Sequence, residues 1–483
     1  MEVITLSLIS HTNVGKTTLA RTLLRRDVGQ VIDQAHVTEA NEVFDLASTE
    51  TAVLRLWDTP GLGDSARLVQ RLKQERNPLG WFLHQVWDRH ADRPLFSSQQ
   101  AVRNIKEEAD VVLYLVNASE DPLEAGYVRL EMELLEWMEK PVLVLLNQTG
   151  PMMAGETDAW DPVSSWREAL RTWSIVRDVI PLDAYTRSWL QEVVLLEKVV
   201  GLLPEARRPA MRALCAAWAE QSRTTFTESS ARVAAYLVRA AADHEPLEGQ
   251  GLGPSDKRRA MRALSQRLDD ATRELVDGLI AEHGLEGRYR TSARESIEAD
   301  FDLPGEVAWG SARATILGAA MGGAAGGLVA DVLTAGLSFG GGAVTGALLG
   351  AAGAAGLRRG YQLVRAEEPQ LRWAREFLEQ LARQSMLRYL AVAHFGRGRG
   401  EWRDTGNPER WNALVEGALA LRSRELDAAT RAARGGADAG RPDEDEPPFD
   451  REAAAAMMNR LVTSVLREAL SRAYPEAAHV VRA

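Results

Sequence analysis

The stretch Ser10-His11-Thr12-Asn13-Val14-Gly15-Lys16-Thr17-Thr18 decides how this chain is read. An apolar run from Val3 to Ile9 precedes it and reads as a buried strand. Leu19-Ala20-Arg21-Thr22-Leu23-Leu24 follows and reads as a helix start. Strand, tight loop and helix in that order make a phosphate-binding loop. The spacing is that of GxxxxGK[ST], with Ser10 in place of the first glycine. In such a loop the backbone N–H groups point at phosphate oxygens, and the positive end of the helix reinforces them. Asn13, Val14, Gly15, Lys16, Thr17 and Thr18 are therefore the nucleotide-binding candidates of this segment. Gly15 lets the backbone close on the β-phosphate, Lys16 reaches the β and γ oxygens, and the Thr17 hydroxyl is placed to ligate Mg²⁺.

Downstream, Val43-Phe44-Asp45-Leu46 and Val53-Leu54-Arg55-Leu56-Trp57 read as a hairpin around Ser48-Thr49-Glu50. The second strand ends in Asp58-Thr59-Pro60-Gly61. A carboxylate at that edge can hold the Mg²⁺ shell, and a glycine N–H can bond the γ-phosphate, so Asp58 and Gly61 take those roles. The polar segment between loop and hairpin offers Thr38 as a sensor of γ-phosphate and metal, with an ordinary loop threonine as the alternative. Val111 to Val116 and Val142 to Leu146 are short, continuous apolar runs, as parallel strands covered on both faces require.

The chain has 483 residues, too many for one core, and 45% apolar with 26% charged residues is the composition of a folded protein. A net charge of −11 argues against a nucleic-acid binder. The single cysteine, Cys215, excludes internal disulfides and reads as a small buried hydrophobe, which fits a reducing cytoplasm. The start Met1-Glu2 runs straight into the first strand without the pattern of a signal peptide, so a cytoplasmic location is expected for the N-terminal half.

HTNVGKTT followed by DTPGLGD resembles the Era-like branch of the translation-factor-related GTPases, over roughly residues 1–200. More narrowly, the chain resembles an uncharacterised bacterial family that joins such a G domain to a helical domain with a Gly/Ala-rich centre. The resemblance implies an α/β P-loop G domain with a mostly parallel sheet, binding GTP and GDP with Mg²⁺ and hydrolysing GTP. It also implies roles for single positions. Leu62 stands where many GTPases keep the glutamine that orients water, so turnover is expected to be slow unless a homodimer, an activating protein partner or a cation supplies that group. Asn13 matches the asparagine that in some Era-like GTPases helps bind K⁺. Asn147-Gln148-Thr149-Gly150 occupies the place of Asn-Lys-x-Asp, with Asn147 and Gln148 toward the base but glycine in place of the guanine-reading aspartate. Asp183, near the last base-contacting loop, is the candidate to compensate.

The expected organisation is a G domain at 1–200 with a helical insertion at about 65–100, an α-helical domain at 201–433, a disordered acidic linker at 434–449, and a C-terminal helix at 450–483. His84 and His90 in the insertion lack a ligand-spaced partner. Arg212 to Arg239 and Lys257 to Glu282 read as an antiparallel helical pair, Gln370 to His394 as an amphipathic helix, and Trp411 to Ala432 as another. Within 314–357, glycines recur at fours: Gly318, Gly322 and Gly326, then Gly342, Gly346 and Gly350. This is either a helical hairpin that contacts or enters the inner membrane, or a tightly packed soluble pair. Three functions compete on these grounds: a GTPase switch driving a membrane-proximal helical domain, a nucleotide-gated membrane-remodelling or pore-forming protein with little hydrolysis, and an RNA- or ribosome-assembly GTPase. The acidic charge weighs against the last.

Overall fold

A computed structural model describes residues 1–11, 14–25, 42–62, 65, 69–70, 73, 93–148, 161–184, 186–247, 254–287, 361–364, 370–397, 409–435 and 451–482. Asn13, Thr38, Thr149, Gly150, His84, His90, most of the 65–100 insertion, the glycine-rich 314–357 stretch and linker residues 436–449 lie outside them. The chain packs as two compact units: Met1–Thr224 with His394–Gly400 and Tyr474–Ala483, and Thr225–Ala393 with Glu401–Ala473.

The first unit is built on strands β1 (Glu2–Ser10), β2 (Glu42–Ser48), β3 (Ala52–Asp58), β4 (Val111–Asn117), β5 (Val142–Asn147) and β6 (Val176–Pro181), in the sheet order β2-β3-β1-β4-β5-β6. All neighbours pair in parallel except β2 with β3, the expected hairpin. β4 and β5 are buried nearly end to end because helices cover both faces, which is why their sequences are continuous apolar runs rather than alternating ones. The covering helices include α1 (Lys16–Leu24), α2 (Arg93–Glu107), α3 (Gly126–Met138), α4 (Pro162–Leu170) and α5 (Trp189–Leu202). α4 starts where its sequence says it should. Asp161 accepts the Val163 N–H at 3.0 Å and Pro162 takes the first turn, where a missing N–H costs nothing. Tyr114, Val116, Met132, Leu135, Leu146 and Trp166 form the centre of one core layer. Each such side chain contributes about 1.5–3 kcal/mol by leaving water.

Helix α6 (Arg208–Ala242) begins in the first unit and ends in the second. Its later turns pair with α7 (Pro254–Glu282) in antiparallel fashion, as Tyr236–Thr272 at 2.9 Å, Arg239–Glu274 at 2.6 Å and Ser229–Glu282 at 2.8 Å show. A three-stranded antiparallel sheet follows, β7 (His244–Pro246), β8 (Tyr361–Val364) and β9 (Gln370–Trp373), in the order β7-β9-β8. β9 corrects the reading of Gln370 to His394 as one helix. The first four residues are recruited into ladders on both sides, and the helix, α8 (Arg375–Ala393), starts only beyond them. Trp373 still stacks on Phe377 at 4.3 Å, the contact that made the stretch look helical throughout. Trp411 to Ala432 is likewise two helices, α9 (Glu409–Ala420) and α10 (Ser423–Ala433), broken at Leu421-Arg422. α11 (Arg451–Ala473) and the short α12 (Ala478–Arg482) end the chain. Among the described residues no helix is long and apolar enough to cross a membrane, and no three His, Cys, Asp or Glu gather as a metal site. Cys215 is buried, and burial pushes its thiol up to about 11.

Candidate nucleotide site

β1 lies between β3 and β4, so the chain leaves it toward one side and returns on the other. A crevice for ligands forms at such a switch point, outside the C-terminal strand ends. Register brings the motif residues to that edge: Leu8 pairs with Asp58, Ser10 with Leu115, and Asn117 with Asn147. Gly15 caps α1 with φ +95°, a left-handed conformation that side chains rarely adopt, and no side chain caps the first turn. A helix start without a side-chain cap is where an anion binds, on the opening N–H groups. A Cβ on Gly15 would also meet Asn147 Nδ2 at 2.8 Å, so glycine is required twice over.

Lys16 is buried, and its Nζ donates to Ser10 Oγ at 3.0 Å. Burial holds its pKa below the usual lysine value, against the opposing charges of Asp58 and Glu131. Ser10 therefore does something a glycine could not: it gives the lysine an oxygen. Its own hydroxyl hydrogen goes to the His11 carbonyl. Thr17 Oγ1 donates to Asp58 Oδ2 at 2.8 Å. Asp58 is pushed up to about 6, chiefly by burial and also by Glu42, while Lys16 and the Thr17 hydrogen bond pull the other way. Its second oxygen, Oδ1, is buried and has no hydrogen-bond partner among the described residues. An orphaned carboxylate oxygen beside a threonine hydroxyl is the hard donor set that Mg²⁺ takes, so the residues present fit the ion implied by the loop.

Asn147 is fully buried. Its Nδ2 donates to the Val14 carbonyl at 2.7 Å and its Oδ1 accepts the Ala184 N–H at 2.8 Å. It thus ties the phosphate loop to the Asp183-Ala184 segment, and an amide nitrogen has a second hydrogen to offer a base. Gln148 follows with φ 58°, and Asp183 is buried beside Ala184. Gly61 is fixed through its neighbour: Leu62 N donates to the Ser10 carbonyl at 3.0 Å, and Leu62 bridges His11. The Leu62 side chain is fully buried in the core layer with Ile9 and Met132. Val14, Gly15, Lys16, Thr17, Thr18, Asp58, Gly61, Asn147, Gln148 and Asp183 are thus arrayed along one sheet edge and the loops beside it.

Sequence reasoning missed a second polar cluster at the far end of α1. Thr22 Oγ1 donates to the Ala184 carbonyl and accepts the Arg397 N–H at 3.2 Å, and Arg397 reaches the Arg25 carbonyl at 2.6 Å. Arg25 lies over the Trp218 ring at 4.9 Å and donates to Ser222 at 2.8 Å. Burial, then the Arg187 charge, lowers its pKa to about 10, which Glu192 partly offsets. Arg187 and Glu192 form a buried pair at 2.6 Å, and Trp218 Nε1 donates to the same carboxylate. Scattered arginines in an arginine- and alanine-rich sequence give no signal of such a meeting.

Set beside known proteins, residues 5–148 match the profile of the 50S ribosome-binding GTPases. Residues 172–462 match that of a domain of unknown function, DUF3482. No curated protein matches. Solved structures that resemble the chain include an Era variant from Aquifex aeolicus bound to GDP·AlF4⁻, with 20% identity over 42% of this chain and 58% of that one and a TM-score of 0.33. Era in complex with MgGDPNP and nucleotides 1506–1542 of 16S ribosomal RNA has the same identity and coverage, with a TM-score of 0.32. The FeoB G domain from Methanococcus jannaschii has 20% identity over 38% of this chain and 87% of that one, with a TM-score of 0.22. The match thus spans little more than half the length of the Era chains. With its larger match covering more than half of its length, the chain belongs to the DUF3482 family, and its residues 5–148 carry a GTP-binding P-loop GTPase domain.

Proposed function

We propose that the protein hydrolyses GTP to GDP and phosphate with Mg²⁺ and uses the nucleotide state to switch its helical second unit. The observation that carries this is the orphaned Asp58 Oδ1 beside the Thr17 hydroxyl, with Lys16 and the uncapped start of α1 on the same edge. Thr17 and Asp58 would hold Mg²⁺, which when bound neutralises charge on the β and γ oxygens. Lys16 exchanges its Ser10 contact for phosphate. Gly61 offers its N–H to the γ-phosphate, with Thr38 as the partner from the preceding segment. Leu62 is sealed in the core, so the group that orients water comes from elsewhere: a K⁺ ion held by Asn13, a homodimer or an activating protein. The path to the helical unit is α1 itself. Thr22 senses the base-side loop at Ala184, and Arg25 passes that position to Trp218 and Ser222 on α6.

Competition binding of GTP, GDP and ATP in Mg²⁺, in K⁺ and in Na⁺ buffers, with Lys16→Ala as control, tests the reading. A guanine preference of about a hundredfold, roughly 2.7 kcal/mol, is expected; equal binding of ATP refutes it. The buried Leu62 also favours a second reading, in which the G domain gates membrane remodelling through 314–357 with little turnover. Multiple-turnover hydrolysis that Lys16→Ala abolishes decides against that alternative.

A further inference from the structure

Glu131, on α3, is fully buried beneath the phosphate loop, and three donors from three different elements converge on its carboxylate. His11 Nδ1 lies 2.7 Å from Oε1, the Ser65 hydroxyl donates to the same oxygen at 2.8 Å, and the Tyr114 hydroxyl donates to Oε2 at 2.6 Å. His11 belongs to the phosphate loop, Ser65 follows the Asp58-Thr59-Pro60-Gly61-Leu62 turn, and Tyr114 belongs to β4. The His11 ring stacks on Tyr127 at 4.3 Å, and Tyr127 is itself held by Glu120 at 2.6 Å, which closes the cluster on that side. A dry carboxylate is stable only while its donors stay in place, so the residues carrying them are held at fixed separation.

We propose that Glu131 is a positioning residue for the γ-phosphate: it fastens the segment after Gly61 to the phosphate loop, and so sets where the Gly61 N–H stands when GTP, but not GDP, is bound. The inference rests on the GTPase reading above and adds the part of the protein that distinguishes the two nucleotides. Two of the three bonds come from the two segments that the His11–Leu62 bridge joins, one from His11 and one from Ser65. The third, from Tyr114, anchors the carboxylate to the rigid sheet. Its hydroxyl stays protonated, and hence a donor, because burial and the Glu131 charge push its pKa well above the ordinary tyrosine value.

The test is equilibrium binding of GDP and of the non-hydrolysable analogue GDPNP to the full chain, wild type against Ser65→Ala, Glu131→Gln and Tyr114→Phe. Ser65→Ala is expected to weaken GDPNP about tenfold (about 1.4 kcal/mol), the loss of one hydrogen bond to a charged group, while GDP binding stays within about twofold. Glu131→Gln moves the ratio in the same direction if it folds; the conclusion does not depend on it, because Ser65→Ala leaves the carboxylate and its other donors in place. Tyr114→Phe removes the anchor of the same carboxylate to the sheet without touching the loop or Ser65, and lowers the GDPNP-to-GDP binding ratio in the same direction as Ser65→Ala. A ratio unchanged in Ser65→Ala, or both nucleotides weakened equally, overturns the proposal while the GTPase reading stands. A wild-type chain that binds neither nucleotide overturns both.

Discussion

Replacing Asp58 by asparagine should make the ligand-free protein more stable and the ligand-bound protein less so. Burial lifts the Asp58 carboxyl from the ordinary 3.8 to about 6, so the fold prefers the neutral form. A rise of that size corresponds to about 3 kcal/mol held against the charged carboxylate. The sign follows from which state binds the proton. Below pH ~4 the carboxyl is protonated in both folded and unfolded chains, and Asp58→Asn gains nothing. Between ~4 and ~6 only the unfolded chain loses the proton, so the wild type weakens progressively, and above ~6 the full difference is present. Asparagine keeps an oxygen for the Thr17 hydroxyl and carries no charge to desolvate. Denaturant unfolding of the nucleotide-free protein in chelator, at pH 4.5 and pH 7.5, reads the effect on the first unit. The variant should gain up to about 3 kcal/mol at the higher pH and well under half of that at the lower. With Mg²⁺ and GTP at about 1,000 times the wild-type Kd the order reverses, because the wild type gains about 4.1 kcal/mol that the variant cannot. A variant no more stable at pH 7.5, or equally stabilised at both pH values, refutes burial as the cause.

Three further outcomes are expected. Mg²⁺-dependent GTP affinity should fall as pH drops through about 6, approaching tenfold per pH unit, because the metal takes the deprotonated Asp58; isothermal titration at pH 5, 6 and 7.5 reads it. Gly15→Ala places a Cβ at φ +95° and 2.8 Å from Asn147 Nδ2, so nucleotide binding should fall by at least tenfold, about 1.4 kcal/mol, in fluorescence titration. Leu62→Gln should not accelerate hydrolysis, since the side chain lies in the core; it should instead destabilise the first unit by about 2 kcal/mol, visible in the melting temperature.

The phosphate loop and the Asp58-Thr59-Pro60-Gly61 turn were legible because local sequence alone fixes a strand, a tight turn and a helix start, and β4 and β5 because full burial demands unbroken apolar runs. β7 and β9 were not, since His244–Pro246 and Gln370–Trp373 are too short for their patterns to stand out and exist through pairing between distant segments. The role of Ser10 was hidden by the comparison with glycine, which counts what is missing rather than what an oxygen beside Lys16 supplies. Glu131 left a trace that can be read. Val128, Glu131, Leu135 and Met138 fall on one helical stripe, so a carboxylate there is carried inward with its apolar neighbours. Leu62 illustrates the reverse: a position defined by what other GTPases keep there turned out to be a core residue.

The first unit is made from three separated stretches: the second, His394–Gly400, interrupts the second unit, and the third, Tyr474–Ala483, arrives only after the chain has run through all of it. It is therefore not a cassette. A truncation or gene fusion that ends after Thr224 leaves the Arg25 carbonyl without Arg397 and Glu197 without His479, its partner at 3.0 Å. A ribosome still making the helical region has not yet finished the unit with which it began.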